Sequence, residues 1–240
     1  MSDQKGWSYR LDETGAAVEY AVWSGGATPA LGMHFHDEAQ LAFVLAGGRL
    51  FEIGARAFAV EAGQCLCIPA RLPHRGLPAR PGGARCLNIY VSLPFVFAPC
   101  VLDIPALAGR PASDLLRDVE KRLVPTAEAP PMMPRGDELG RPVSEIARRH
   151  GLSREGFSRR FARETGMPPH AWHVVARLNE ARRRLRAGDS VAGVAADFGF
   201  ADQSHFGRHF RRVFGVSPRA YREDLRWFLP PAGTKRRAGT

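Results

Sequence analysis

The sequence predicts an α+β multidomain protein, in which a β-rich amino-terminal half precedes an all-α carboxy-terminal domain. From about residue 18 to residue 97, glycine and proline separate short apolar runs, which is typical of several short strands in a barrel or sandwich. After residue 143 the apolar residues recur with helical spacing, and one helical unit occurs twice. We therefore predict a β domain at 1–112, a short helix and proline-rich linker at 113–140, a helical domain at 141–226 and a basic tail at 227–240. The short helix is expected to begin with Ser113 as its N-cap.

The duplicated unit has the pattern of a helix-turn-helix. Matching residues of the two copies lie 48 and then 49 positions apart, which marks a repeated supersecondary unit. In each copy a glycine, Gly151 or Gly199, follows a short amphipathic helix and favours a tight turn. Ser153 and Asp202 then stand where an N-cap residue would begin the second helix. Two short helices joined in this way are typical of DNA-binding proteins.

The second helix of each copy presents polar residues opposite its buried aromatic stripe. In the first copy these are Glu155, Ser158 and Arg159, and in the second copy they include Ser204 and Arg208. Arginine can donate two hydrogen bonds to guanine in the major groove, while Ser and Glu can pair with other base edges. The arginines of one copy alone could equally form a solvated face. Their recurrence in both copies favours the DNA-reading interpretation.

A third helix, predicted between Pro168 and Gly188, separates the two copies. Its apolar stripe runs from Trp172 to Leu185, and we expect its arginines, Arg182 among them, to lie mostly outside that stripe. Such a helix would fix the distance between the two reading helices. Helices that enter successive major grooves on one face of DNA must lie about 34 Å apart.

The positive charge of the chain is concentrated in the half that contains the repeat. Residues 1–134 hold 12 basic and 13 acidic residues, whereas residues 135–240 hold 22 and 11. This distribution is expected of a domain that binds phosphates. We expect a cytoplasmic protein without a membrane span, because the sequence has no signal-peptide region and no apolar run of about 20 residues. The four cysteines are then expected to be reduced thiols.

The β-rich half contains four polar residues that could share one site: His34, His36, Gln40 and His74. Their order, with Gly47 after the first three and Gly63 and Pro69 before the last, resembles the two motifs of the cupin barrel, a jelly-roll fold. Metal cupins bind Fe or Mn at these positions, but a glutamine stands here where a carboxylate is usual. We interpret the site as metal-free; a bound metal and purely structural histidines are the alternatives. Cys65 and Cys67 are expected to be small buried hydrophobic residues rather than a Cys/His metal or redox site.

The whole chain resembles the AraC/XylS family of transcription regulators. The resemblance is strongest in the segment from Ala195 to Arg222, which reads A-x-x-x-G-F-x-D-x-S-H-F-x-R-x-F-R-R-x-F-G-x-S-P-x-x-Y-R. It implies an activator or repressor that binds double-stranded promoter DNA and contacts RNA polymerase. Its barrel would bind a small-molecule effector or mediate self-association, which would give a homodimer. It requires no catalytic residue and no cofactor. By position it assigns DNA binding to Ser153, Glu155, Ser158, Arg159, Gln203, Ser204, His205 and Arg208, and effector binding to His34, His36, Gln40 and His74.

Two other functional classes remain as alternatives to this interpretation. The first is a metal-dependent cupin enzyme fused to a DNA-binding domain, and the second is an interaction module whose barrel binds another protein. Stoichiometric bound metal would favour the first alternative. Capture of a protein partner, without any small-molecule ligand, would favour the second.

Overall fold

A computed structural model describes residues 6–12, 19–25, 30–78, 83–107, 109–126 and 141–226. The predicted linker residues 127–140 and the predicted tail, 227–240, lie outside these ranges. Within them the chain forms an amino-terminal antiparallel β-barrel and a carboxy-terminal helical domain, which confirms the predicted fold class. No helix in the described ranges has both the length and the apolar character required to cross a membrane.

In the described ranges eight strands form the barrel, and all of their pairings are antiparallel. The strands are β1 (Gly6–Leu11), β2 (Glu19–Ser24), β3 (Ala39–Ile53), β4 (Arg56–Glu61), β5 (Gln64–Ile68), β6 (His74–Gly76), β7 (Ala84–Val91) and β8 (Cys100–Asp103). Along the main path the order is β1-β2-β7-β3-β5-β8, while β4 and β6 pair with β3 outside that path.

Strand β3 holds the barrel together because its two halves pair with different strands. Its first half pairs with β5 and β7, and its last residues pair with β4 and β6. The register shifts between Val44 and Ala46, and such a bulge bends a strand. Gly47 follows with a φ of 71°, and a Cβ added there would lie 2.2 Å from the carbonyl oxygen of Gly83. Glycine is therefore required at this bend.

Seven helices follow the strands within the described ranges. The first helix, α1 (Ala112–Arg122), packs against the barrel: its residues Leu115, Leu116 and Val119 belong to the same buried cluster as strand residues. The expected cap of this helix at Ser113 is wrong: the helix begins at Ala112, after Pro111, and no side chain caps it. The helices are α1 (Ala112–Arg122), α2 (Val143–Arg149), α3 (Arg154–Thr165), α4 (Pro169–Arg186), α5 (Val191–Asp197), α6 (Gln203–Phe214) and α7 (Pro218–Arg226).

Both predicted helix-turn-helix units are present, as α2–α3 and α5–α6. The Ser153 hydroxyl accepts a hydrogen bond from the backbone N–H of Gly156 at 3.0 Å, and Asp202 accepts one from His205 at 2.6 Å. Both predicted N-caps are therefore confirmed. Gly151 and Gly199 occupy the turns with φ values of 67° and 66°, in the left-handed region that favours glycine.

One buried cluster continues from the barrel into the helical domain, and a second lies between the barrel and α1. Cys65 and Cys67 belong to the second cluster, are fully buried and place their sulfur atoms 4.0 Å apart. They pack as small hydrophobic residues, as predicted. The first cluster shows that the described part of the helical domain is docked on the barrel, an arrangement that the sequence did not indicate.

Candidate nucleic-acid interface and histidine cluster

The helices α3 and α6 present matching exposed faces. Each buries an aromatic stripe, which begins with Phe157 in α3 and with Phe206 in α6. On the opposite face the predicted contact residues are exposed: Glu155, Arg159, Gln203, Ser204 and Arg208. These side chains are free to approach a DNA groove while the aromatic stripe stays in the core.

Other predicted contact residues use their polar groups inside the domain. The Ser158 hydroxyl donates to the carbonyl oxygen of Arg154 at 2.8 Å. The half-buried His205 ring accepts from the backbone N–H of Ala201 at 3.3 Å, and its other nitrogen lies 3.0 Å from His209. These bonds position the helices. The exposed Ser153 also uses its hydroxyl within the domain, as the N-cap of α3. Direct base contacts are therefore expected mainly from Glu155, Arg159, Gln203, Ser204 and Arg208.

Gly207 lies between these residues in α6. A Cβ added there would meet only the Cδ atom of Pro218, at an ordinary contact distance of 3.9 Å. Internal packing therefore does not require glycine at this position.

The long helix α4 contacts the barrel through an arginine that the sequence placed on its exterior. Arg182 has no exposed surface, so that expectation is wrong. Its guanidinium donates to the fully buried carboxylate of Glu19 in β2 and lies 3.1 Å from Nδ1 of His36. It also lies over the aromatic rings of Tyr90 and Phe214, at 4.4 and 4.7 Å. The burial of Arg182 could not be predicted because the periodicity of α4 indicates only the apolar stripe from Trp172 to Leu185. The barrel also buries Asn179 and Arg182, which are polar.

Further contacts surround this ion pair. Tyr221 donates its hydroxyl to the other carboxylate oxygen of Glu19, and Arg186 pairs with Glu38 at 2.7 Å. Asn179 donates to the carbonyl oxygen of Phe35 at 2.8 Å. The Tyr9 hydroxyl donates to the carbonyl oxygen of Phe214 at 2.6 Å, at the end of α6. Buried charges are thus paired across the contact between barrel and helices, as their desolvation requires.

The four barrel residues predicted to share a site do lie together, and all are buried. His34 and His74 exchange backbone hydrogen bonds of 2.9 and 2.8 Å, which places their rings 4.5 Å apart between centroids. The ring of His36 lies 4.9 Å from that of His34. Gln40, at the start of β3, reaches Nε2 of His74 at 3.0 Å. We call these four residues the histidine cluster.

All three imidazoles are neutral at physiological pH. Burial lowers the pKa of His34 and His36 well below its usual range, and the neighbouring rings lower it further. Burial likewise lowers the pKa of His74 to about 4. A neutral imidazole has one N–H and one lone pair, so each hydrogen bond fixes the position of its proton.

These tautomers decide what the histidine cluster can bind. His74 donates through Nδ1 to the carbonyl oxygen of Leu72 at 2.9 Å, so its Nε2 can only accept, and the amide nitrogen of Gln40 must face it. Nδ1 of His36 accepts a hydrogen bond from the guanidinium of Arg182, so the proton of the His36 ring is on Nε2. That Nε2–H has no partner among the described residues.

A divalent metal, which the cupin resemblance suggests, does not fit this arrangement. Three ring nitrogens do lie within 4.8 Å of one another. However, the lone pair of His74 is used by Gln40, that of His36 is used by Arg182, and no carboxylate belongs to the cluster. A metal ligand needs a free lone pair, and a cation is disfavoured beside a buried guanidinium.

The barrel encloses a small cavity beside the cluster, with a volume of about 20 Å³. A cavity of at least about 10–15 Å³ is needed to hold one water molecule, so this one accepts little more than that. Its wall includes His34, Gln40 and His74 from the cluster, Arg49 from β3 and Val213 from α6. The helical domain therefore closes the cavity of the barrel.

Comparison with known proteins finds a matching family model for each half of the chain. The family model "AraC-like ligand binding domain" matches residues 19–168, and the model "Helix-turn-helix domain" matches residues 146–224. Two similar proteins are the transcriptional activator NphR from Rhodococcus sp, 45% identical over 83 residues, and the HTH-type transcriptional activator RhaS from Escherichia fergusonii, 43% identical over 79 residues. These segments cover 34% and 32% of this chain. The chain spans only 24% of the length of NphR and 28% of that of RhaS.

Solved structures of similar fold cover nearly the whole chain. Fatty acid-bound ToxT from Vibrio cholerae matches 94% of this chain and 96% of its own, with a TM-score of 0.56 and 10% identity. At this identity the likeness concerns the fold alone. A barrel and a helical domain therefore occur together in a known architecture. Since one family model spans more than half of the chain and a second matches the helix-turn-helix units, the chain belongs to the AraC/XylS family of transcriptional regulators.

Proposed function

We propose that this protein is a sequence-specific transcription regulator that reads promoter DNA with α3 and α6 and responds to a small effector in its barrel. One observation supports the proposal above all: two helix-turn-helix units, each correctly capped, expose matching polar faces with one arginine at corresponding positions, Arg159 and Arg208. The net positive charge of residues 135–240 adds the attraction to phosphate that DNA binding needs.

Control by an effector is the second part of the proposal. The docked helical domain supplies Arg182 to the histidine cluster and Val213 to the wall of the cavity. An effector that binds the open and docked arrangements unequally would shift their populations, and so change how the reading helices are presented. The effector-binding assignment of His34, His36, Gln40 and His74 belongs to this part of the proposal.

The partners follow from the same function. A promoter regulator acts in the cytoplasm beside RNA polymerase. Two reading helices at a fixed spacing let one chain bind an asymmetric DNA site. A homodimer would bind two such sites repeated along the promoter.

The metal-dependent enzyme alternative is disfavoured by the tautomers of the histidine cluster, which leave too few free lone pairs for a metal. Metal analysis of protein purified without chelator tests it: we expect less than stoichiometric Fe, Mn, Ni or Zn. One bound metal per chain, lost in His34→Ala, would favour the enzyme.

Binding of the full chain to the DNA that flanks its own gene tests the proposal. We expect affinity for one segment to exceed that for scrambled DNA by at least about 10³-fold, and to fall steeply as potassium chloride rises. Equal affinity for both DNAs would reject sequence-specific recognition.

A further inference from the structure

Arg49 is a buried cation that has no counter-ion among the described residues. Its side chain comes from the second half of β3, and the residue is 5% exposed. Within the described ranges no carboxylate lies at ion-pair distance from it, and its Nε has no hydrogen-bond partner. An isolated charge in a protein interior is costly unless something compensates it.

The immediate neighbours of Arg49 do not supply that compensation. The guanidinium lies 4.9 Å from the ring of Phe51 and 5.9 Å from that of Trp7, and it donates to the sulfur of Cys86 at 3.8 Å. Burial raises the pKa of the Cys86 thiol, although Arg49 opposes the shift, so the thiol stays neutral. Aromatic faces and a thiol attract a cation only weakly compared with a carboxylate.

A second buried arginine in the described part of the chain gives a direct comparison. Arg182 is at least as deeply buried, but it pairs with the carboxylate of Glu19. The charge of Arg182 is therefore compensated within the fold, whereas Arg49, beside a cavity, has no acidic partner among the described residues.

The cavity beside Arg49 is suited to a negative group. Arg49 lines it together with His34, Gln40 and His74, which are neutral polar residues. Among the lining residues that the structure describes, none is acidic. A cation would be repelled here, whereas an anion would receive charge-assisted hydrogen bonds from the guanidinium.

We propose that Arg49 anchors the effector of this regulator, and that the effector is a small organic acid whose carboxylate binds the guanidinium inside the barrel. This inference rests on the proposed control by an effector and names its chemical class. The present cavity, about 20 Å³, is smaller than a carboxylic acid with its carbon chain. Entry of the acid must therefore displace part of the wall.

That wall connects the site to the DNA-reading half. Val213, which belongs to α6, forms part of it, and Leu31 lies on the same side, next to Gly32, whose N–H donates to the carbonyl oxygen of Arg212 in α6 at 3.1 Å. An acid bound to Arg49 consequently competes with the docked position of α6. Binding would release the recognition helix from the barrel, which is a shift between two arrangements.

Isothermal titration calorimetry of the full chain with sodium acetate, sodium benzoate and sodium chloride tests the proposal, with benzamide as the neutral analogue of benzoate. We expect saturable 1:1 binding of at least one carboxylate and none of benzamide. Arg49→Met should weaken that binding about 10- to 100-fold, the range expected for a charged hydrogen bond of about 1.5–3 kcal/mol. Arg75→Met removes a partly exposed arginine that pairs with Glu52, and it should leave the affinity unchanged.

Arg49→Gln provides a second neutral variant if the methionine variant does not fold. In anion-poor buffer we expect Arg49→Met to melt at or above the temperature of the wild-type protein, because it removes an uncompensated buried charge. The proposal would be overturned if the wild-type protein bound no carboxylate, if it bound chloride alone, or if both neutral variants bound carboxylate with the same affinity as the wild-type protein. DNA binding is measured separately on the same preparations. A protein that binds carboxylate but shows no preference for any DNA sequence would refute the proposed function, while the carboxylate site at Arg49 would still stand.

Discussion

Nη1 of Arg182 lies 3.1 Å from Nδ1 of His36, so a helix of the DNA-binding half touches the histidine cluster of the barrel. The same guanidinium is paired with Glu19, and neither side chain is more than 1% exposed. Arg182 therefore connects the helical domain, a buried ion pair and the proposed effector site.

The loss of Arg182 should destabilise the whole chain. Arg182→Met leaves the carboxylate of Glu19 buried without its main partner, and breaking a buried pair in this way costs about 3–5 kcal/mol of unfolding free energy. The double variant Arg182→Met/Glu19→Gln should recover much of that loss, since no unpaired charge remains. Urea denaturation measures both, and Arg183→Met, at an exposed pair with Glu180, is the matched control. A loss below about 1 kcal/mol in Arg182→Met would contradict the buried pair.

Acid should unfold the barrel over a defined pH range. The buried histidines have folded-state pKa values below that of an unfolded histidine, about 4 for His74 against a usual value near 6.5. Between these values the unfolded chain binds protons that the folded chain does not, so stability falls as the pH is lowered. Each histidine contributes at most about 1.4 kcal/mol per pH unit. Urea denaturation at pH 7.5, 6.0 and 5.0 should show the free energy of unfolding falling with pH, and His74→Gln should make this dependence shallower. A free energy of unfolding that did not change with pH would contradict the prediction.

The cap of the recognition helix should contribute to DNA affinity as well as to stability. Asp202→Ala removes the hydrogen bond to the N–H of His205 and should cost about 0.5–2 kcal/mol of unfolding free energy. Asp202→Asn should restore most of it, because asparagine caps helices about as well. Thermal melting and DNA titration of the three proteins test this. If Asp202→Ala matched the wild-type protein in both, the cap would have no role.

Two glycines with similar backbone angles should respond differently to alanine. Gly47 and Gly54 have φ values of 71° and 59°, so both substitutions carry the strain of a left-handed residue, about 1–2 kcal/mol. Only at Gly47 would the new Cβ also collide with backbone, at 2.2 Å from the carbonyl oxygen of Gly83. We expect Gly54→Ala to fold with a modest loss and Gly47→Ala to lose several times as much. Equal melting temperatures would show that the bend in β3 adapts to a side chain.

The elements that depend on local chemistry could be predicted from the sequence. The glycine turns and the caps at Ser153 and Asp202 are confirmed, because a cap is decided within one helical turn of its residue. The four residues of the histidine cluster were also found by their order along the chain. The prediction of Ser113 as a cap is wrong because the N-cap position of this helix is Pro111, two residues earlier.

Contacts that depend on docking could not be predicted. Arg182 looks like a solvent-facing arginine of an amphipathic helix until the barrel supplies Glu19 and His36. Arg49 gives no signal either, since a single arginine in an alternating strand normally faces solvent. Both contact residues more than 30 positions away in the chain, Cys86 for Arg49 and Glu19 for Arg182, and periodicity carries no information on such partners.

The central claim, that α3 and α6 read successive grooves, is tested most directly by a hydroxyl-radical footprint of the full chain on DNA selected from a random pool. We predict two protected segments centred about 10–10.5 base pairs apart, with Arg159→Ala weakening one and Arg208→Ala the other, each by about 1–3 kcal/mol. The barrel variant Arg75→Ala should leave both intact. A single protected segment, or two that respond equally to each variant, would contradict the account.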